Sequence, residues 1–210
     1  MMLIDETTVP DGALPVEEFK AHLRLGSGFD GNSLQDDVLR SFLRAALSAV
    51  EARTGKALIS RGFSYSLSDW GDALVQVLPV APVVAIDAIT ATDRTGTEAI
   101  LPVDGIWLER DQTQPRVRPI GAALPAVPGA GTVSVAFTAG YGPAWSDVPA
   151  DLQQAVMLLA AHYYEYRDET GLSEGCMPFG VTSLLERYRF LRISGGRRSC
   201  RRRVRADAWG

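Results

Sequence analysis

His162 and Glu165 stand three residues apart in a stretch of helical apolar period, which would set an imidazole and a carboxylate on one side of a helix. A metal held that way needs several more ligands from other helices, and the sequence offers one other histidine, His22. The neighbours Tyr163, Tyr164 and Tyr166 instead make His162 a helix-surface residue among aromatics. Gly26-Ser-Gly28-Phe-Asp-Gly31 matches the bare spacing of a dinucleotide loop, but a helix precedes it where that loop needs a strand, so an inter-helix turn is the better reading. Cys176 and Cys200 supply neither a disulfide framework nor metal-ligand spacing, and both are expected to be reduced. Asp36–Asp37 and Glu17–Glu18 fit helix N-terminal charges better than an acid/base pair. These patterns disfavour an enzyme; no metal or cofactor is expected.

The strongest chemical signal is charge asymmetry. The last 24 residues hold nine arginines against Asp207, a net +8, which leaves −12 on the other 186 residues. Arg197, Arg198, Arg201, Arg202, Arg203 and Arg205 crowd into nine positions, with Trp209 just beyond. Such an arm could bind nucleic-acid phosphates, fork its guanidinium groups onto an acidic protein surface, or remain solvated. The acidic remainder weighs against binding of free DNA by the whole protein. Trp209, a residue type enriched in interface hot spots, favours a protein groove.

Composition bounds the rest. At 210 residues, 46% hydrophobic and 22% charged, the chain can bury a core without staples, which excludes bulk disorder. The longest apolar run, Ala155–Ala161, is far too short to span a bilayer. The acidic opening MMLIDETTVP lacks the basic region of a signal peptide.

The elements that must carry these residues change texture twice. Residues 1–15 read as extended, followed by a short helix over Val16–Leu25 and a longer one from about Leu34 to Thr54. Ser33 is a candidate cap of the second, and Gly55 sits where a left-handed stop is expected. Val38, Phe42, Ala45 and Ala49 form one stripe of that helix, and Leu39, Leu43, Leu47 and Val50 another. From Leu58 to Tyr141 the period becomes two, with Phe63, Tyr65 and Leu67 alternating with serines, prolines between the runs, and a hairpin turn at Asp93–Gly96. Five to seven mostly antiparallel strands are expected. Helical period returns after Gly142, with Pro149 at a first helical position and Leu152, Val156, Leu159 and Tyr163 on one face. A last helix is expected over Val181–Ile193.

The fold class expected is therefore α+β: a helical body of about four helices (1–57 and 142–193), an inserted antiparallel β-module (58–141), and a basic C-terminal arm (194–210). The aromatic stripe Tyr163, Tyr164 and Tyr166 is expected in the core or at an interface. No coiled-coil heptad forces a fixed oligomer, so the free chain is expected to be monomeric or to form variable rings.

Together these segments resemble the head–tail connector, or adaptor, proteins of long-tailed phages and gene transfer agents. Leu14-Pro-Val-Glu-Glu-Phe-Lys-Ala-His-Leu-Arg24 is similar to the family's first helix, and Val50-Glu-Ala-Arg-Thr-Gly55-Lys-Ala-Leu-Ile59 to the close of its second. Phe137-Thr-Ala-Gly-Tyr-Gly142, Val148-Pro149, Ala161-His-Tyr-Tyr-Glu165 and Pro178-Phe-Gly-Val181 follow in the family's order. The resemblance spans residues 14–192; the arginine extension is longer and more basic than the family pattern. It implies a non-enzymatic ring, of twelve copies in that family, seated below the portal at the head–tail junction of a particle assembled in the bacterial cytoplasm. Its implied partners are the portal, a stopper or tail-terminator protein, further copies of itself, and DNA passing through without sequence-specific contact. Arg197–Trp209 would then anchor on the portal, and Tyr163, Tyr164, Tyr166 and Phe179 are candidate subunit contacts. The alternative is a cytoplasmic nucleic-acid-binding protein acting through its arginine tail.

Overall fold

The computed structural model describes residues 1–25, 33–167 and 177–189, with Ser33 and Leu34 described by backbone alone. The Gly26–Gly31 motif, both cysteines and the arginine arm from Arg197 to Trp209 lie outside the described residues, as does the capping role expected of Ser33.

The architecture is mixed α+β. Helix α1 (Val16–His22) is shorter than the expected Val16–Leu25. Arg24, just beyond it, takes a positive φ of 55°. Helix α2 (Ser33–Thr54) buries Leu39, Leu43, Leu47 and Val50, the stripe read from the sequence, together with Ala46. The parallel stripe is only flanking, with Val38 left exposed. Gly55 closes α2 at φ +68°, in the left-handed region as expected.

The described residues contain eight strands, seven of them within the 58–141 stretch of two-residue period. β1 (Met2–Asp5), β2 (Arg61–Leu67), β4 (Val83–Thr92), β5 (Glu98–Leu101) and β8 (Thr132–Ala139) form a five-stranded sheet in the order β1-β2-β8-β4-β5. Every neighbouring pair in it is antiparallel. β3 (Gln76–Val77), β7 (Arg116–Pro119) and β6 (Ile106–Glu109) make a second, three-stranded sheet in that order. Residues 1–15, read as an extended lead-in to the helical body, thus contribute a strand that pairs with β2. Phe63, Tyr65 and Leu67 are buried, as their alternation requires, and Phe63 stacks on Phe137 of β8 with ring centroids 5.6 Å apart.

Helix α3 (Ala150–Glu165) buries Leu152, Ala155, Val156, Leu159 and Ala160. Pro149 stands one position before the helix, extended at ψ 138°, rather than inside its first turn. The expected last helix over Val181–Ile193 is corrected: α4 runs Phe179–Leu185, tightens to a 3₁₀ turn at Glu186–Tyr188, and is extended by Arg189. Arg187, in that turn, pairs with Asp151 in the first turn of α3 at 2.7 Å.

Two apolar clusters result. One joins α1–α4 with Val9, Leu14, Leu58, Ile59 and Trp145; the other fills the space between the sheets around Phe63, Ile89, Val117, Val135 and Phe137. Leu58 and Ile59 therefore pack with the helices although the strand texture begins there, while Ala57 belongs to the sheet cluster.

Candidate functional site

The two clusters are joined by charge as well as by chain. Glu51, in the last turn of α2, accepts the Leu58 backbone N–H at 2.7 Å and takes both terminal nitrogens of Arg61 at 2.9 and 2.8 Å. Arg61 opens β2, and its Nε and Nη2 also donate to Asp5 of β1 at 3.1 and 2.9 Å. Its guanidinium carbon lies 4.7 Å from the centroid of the Phe63 ring. Burial disfavours that charge, but the hydrogen bonds and field of Glu51 and Asp5 outweigh it and raise the Arg61 pKa further. One cation thus fixes α2, β1 and β2 together.

A second joint lies where the chain crosses between helices and sheets. Ser60 N–H donates to the Gly142 carbonyl at 2.8 Å, and Gly140 N–H donates to the Pro82 carbonyl at 2.9 Å. Gly140 has φ +139°, and a Cβ there would fall 2.3 Å from Ser60 Cα; one on Gly142 would fall 2.3 Å from the Asp147 carboxylate. The Phe137-Thr-Ala-Gly-Tyr-Gly142 segment therefore needs its glycines where β8 leaves for the helices. Lys56, also buried, donates to the Gln112 carbonyl; burial pushes its pKa down, against the opposing pull of Asp111.

The aromatic stripe of α3 is split by the fold. Tyr163 is half-buried against the helical cluster, and burial raises its pKa. Tyr164 meets Phe42 of α2 edge-on, with centroids 6.0 Å apart, which sets the end of α3 beside the first half of α2. The Arg167 guanidinium also lies over the Tyr164 ring, 4.7 Å from its centroid. Tyr166 is exposed and its ring sits 4.7 Å from that of His162. Phe179, at the start of α4, is 87% exposed. Among the described residues, no group of three or more His, Cys, Asp or Glu side chains is placed to hold a metal, and no helix is long and apolar enough to cross a membrane.

Solved structures share this arrangement. A chain of the neck of an empty gene transfer agent particle, computed with C6 symmetry, superposes with a TM-score of 0.85 at 49% identity, over 94% of this chain and all of that one. A chain of the virion of a native gene transfer agent particle matches at 0.82 and 48%, over 93% of this chain and 99% of that one. A chain of the neck of the native particle, computed with C12 symmetry, matches at 0.81 and 46%, over 94% and 100%. This protein belongs to the gene transfer agent neck-protein family. No protein-family model and no curated protein matches it.

Its place is the head–tail junction of the particle, as a structural component. On this neck protein, Tyr166 and Phe179 stay open to a partner, whereas Tyr163 and Tyr164 spend most of their surface inside the helical body. Sequence reading missed a further exposed face on the small sheet. Trp107 of β6 pairs in register with Arg118 of β7 and is 45% exposed. Arg116 and Arg118 both pair with Glu109 on the same side, and the Arg118 hydrogen bond holds the Glu109 carboxyl below its usual range. The outward alternation of Trp107 and Glu109 in Ile106–Glu109 was the available signal.

Proposed function

We propose that this neck protein is the head-to-tail adaptor of a phage-like particle. It forms a ring below the portal, extends the DNA channel, and presents a docking surface to stopper or tail proteins. The observation that carries this reading is 46–49% identity, over nearly the whole length of both chains, to neck components computed with sixfold and twelvefold symmetry. In this reading the ring holds twelve copies, in keeping with the neck computed with twelvefold symmetry. Adjacent copies meet through different surfaces, as cyclic closure requires.

In this reading the C-terminal arm anchors on the portal. Arg197, Arg198, Arg201, Arg202, Arg203 and Arg205 fork onto portal carboxylates, and Trp209 inserts beside them. The −12 carried by the other 186 residues disfavours lasting contact with phosphate, which suits a conduit through which DNA slides. The stopper or tail-terminator protein binds the opposite side of the ring.

Co-sedimentation with purified portal tests this. The full chain pellets with portal, and a chain lacking residues 195–210 does so much less while keeping its circular dichroism. Raising salt weakens the full chain's attachment, because exposed ion pairs are screened within about 8 Å at physiological ionic strength. Equal attachment of both chains, with salt-sensitive DNA binding lost on truncation, would assign the arm to nucleic acid instead.

A further inference from the structure

We propose that neighbouring copies in the ring join edge to edge through the five-stranded sheet, β1 of one copy lying beside β5 of the next. The inference rests on the ring reading above and names the surface that closes it.

Among the described residues, no strand pairs with the outer edge of β1 or of β5. All four residues of β1 are exposed, and so are three of the four in β5. The register says which peptide groups are free to pair. Glu6 N–H donates to the Gly62 carbonyl, so the hydrogen-bonded pairs of this ladder continue at Ile4–Ser64 and Met2–Ser66. The peptide groups of Leu3 and Asp5 therefore point away from β2. At the other edge Asp93 N–H donates to the Thr97 carbonyl, so Ala91–Ala99 and Ile89–Leu101 are the bonded pairs, and the groups of Glu98 and Ile100 point outward. Among the described residues, each edge thus offers two residues' worth of unpaired backbone. Neither MLID nor EAIL carries the lysine or proline that commonly guards an open edge.

The side chains agree. Ile100 is 83% exposed and Met2 56%, with Ile4 and Leu3 also exposed. Met2 and Ile4 lie on the serine-bearing face of the sheet in register with Ser66 and Ser64, and Ile100 lies on that same face opposite Thr90. Joining the edges brings Ile100 of one copy against Met2 and Ile4 of the next, covering both.

The geometry suits a rotational ring. The edges sit on opposite sides of one sheet, so pairing them is head-to-tail, whereas a twofold dimer would pair like with like. Four successive antiparallel steps leave β1 and β5 running the same way. Copies related by one-twelfth or one-sixth of a turn keep that sense, so the new pair is parallel.

Crosslinking in purified particles tests the contact. In a background carrying Cys176→Ser and Cys200→Ser, the double variant Ile4→Cys/Ile100→Cys treated with a short bismaleimide should give a ladder of multimers on a denaturing gel. Each single variant should give monomer. A second variant, Leu3→Pro, removes an outward N–H without touching the β1–β2 ladder. It should keep its melting temperature while incorporating into particles roughly tenfold less, the effect of losing about one hydrogen bond at each junction. Incorporated double variants that crosslink no more than the singles, for both Ile4/Ile100 and Met2/Ile100, would overturn the edge contact and leave the ring reading standing. Dimers from Ile4→Cys alone would overturn it in favour of a like-with-like contact. Absence of the unsubstituted chain from particle necks would overturn the ring reading and this contact together.

Discussion

Arg61 and Glu51 meet in a two-point contact, Nη1 to Oε1 at 2.9 Å and Nη2 to Oε2 at 2.8 Å, with only 9% and 11% of their side chains exposed. Ten residues apart in the chain, they lock the end of the long helix to the first strand after it. Removing one partner takes away the other buried charge's two-point contact, leaving Glu51 with the Leu58 N–H or Arg61 with the Asp5 carboxylate. Arg61→Ala is expected to cost about 3 kcal/mol in urea unfolding, and Arg61→Met combined with Glu51→Leu distinctly less than the sum of the two single changes. Additive losses would show that the two residues do not act as a pair.

Gly140→Ala forces a methyl group to within 2.3 Å of Ser60 Cα at a φ of +139°. A loss of roughly 3 kcal/mol is expected. Gly121→Ala, where the added carbon meets nothing within 4 Å, should change stability by less than about 0.5 kcal/mol. Thermal melts of the two variants side by side make the comparison.

Acid should loosen the β-hairpin joining β4 and β5. The Asp93 carboxylate accepts the Thr95 hydroxyl and N–H at 2.7 Å and the Thr97 N–H at 2.9 Å, and these bonds, that of the Thr95 hydroxyl foremost, hold its pKa below the ordinary value. A carboxylate with a lowered folded pKa stabilises the fold above its unfolded pKa, and that stability is lost as pH falls through the folded value. Asp93→Asn should therefore flatten the fall of melting temperature with pH in the acid range. An unchanged slope would rule Asp93 out as a contributor.

The aromatic residues of the helical body should separate by burial. Tyr164→Ala removes the edge contact to Phe42 and the platform under Arg167, with an expected cost of about 2 kcal/mol. Phe179→Ala, at a site 87% exposed, should leave stability within about 0.5 kcal/mol. If Phe179 contacts a neighbour or partner in the particle, its variant loses incorporation while folding normally. Normal incorporation would place Phe179 outside every assembly contact.

Sequence periodicity revealed the elements with strong local patterns: α2 with its Gly55 stop, the alternation of β2, and the turn at Asp93–Gly96. It did not reveal β7, where Arg-Val-Arg-Pro offers one buried apolar residue, Val117, and owes its strand to partners on both sides. Nor did it reveal β1, whose four residues are all exposed and so carry no buried alternation. The overlong last helix reflects apolar spacing at Leu184, Leu185 and Tyr188 that the 3₁₀ turn interrupts. The Arg61 network was hidden because Asp5 lies 56 residues from Arg61 in sequence. The candidate contact residues read from sequence were chosen by type, and the fold divides them by exposure.

The most direct measurement of the adaptor reading is electron cryomicroscopy of the neck in particles containing this chain. The account predicts a ring of twelve copies immediately below the portal, with C-terminal density reaching the portal and the channel running through the ring. A map placing the chain elsewhere in the neck, or in a ring that makes no contact with the portal, would contradict it.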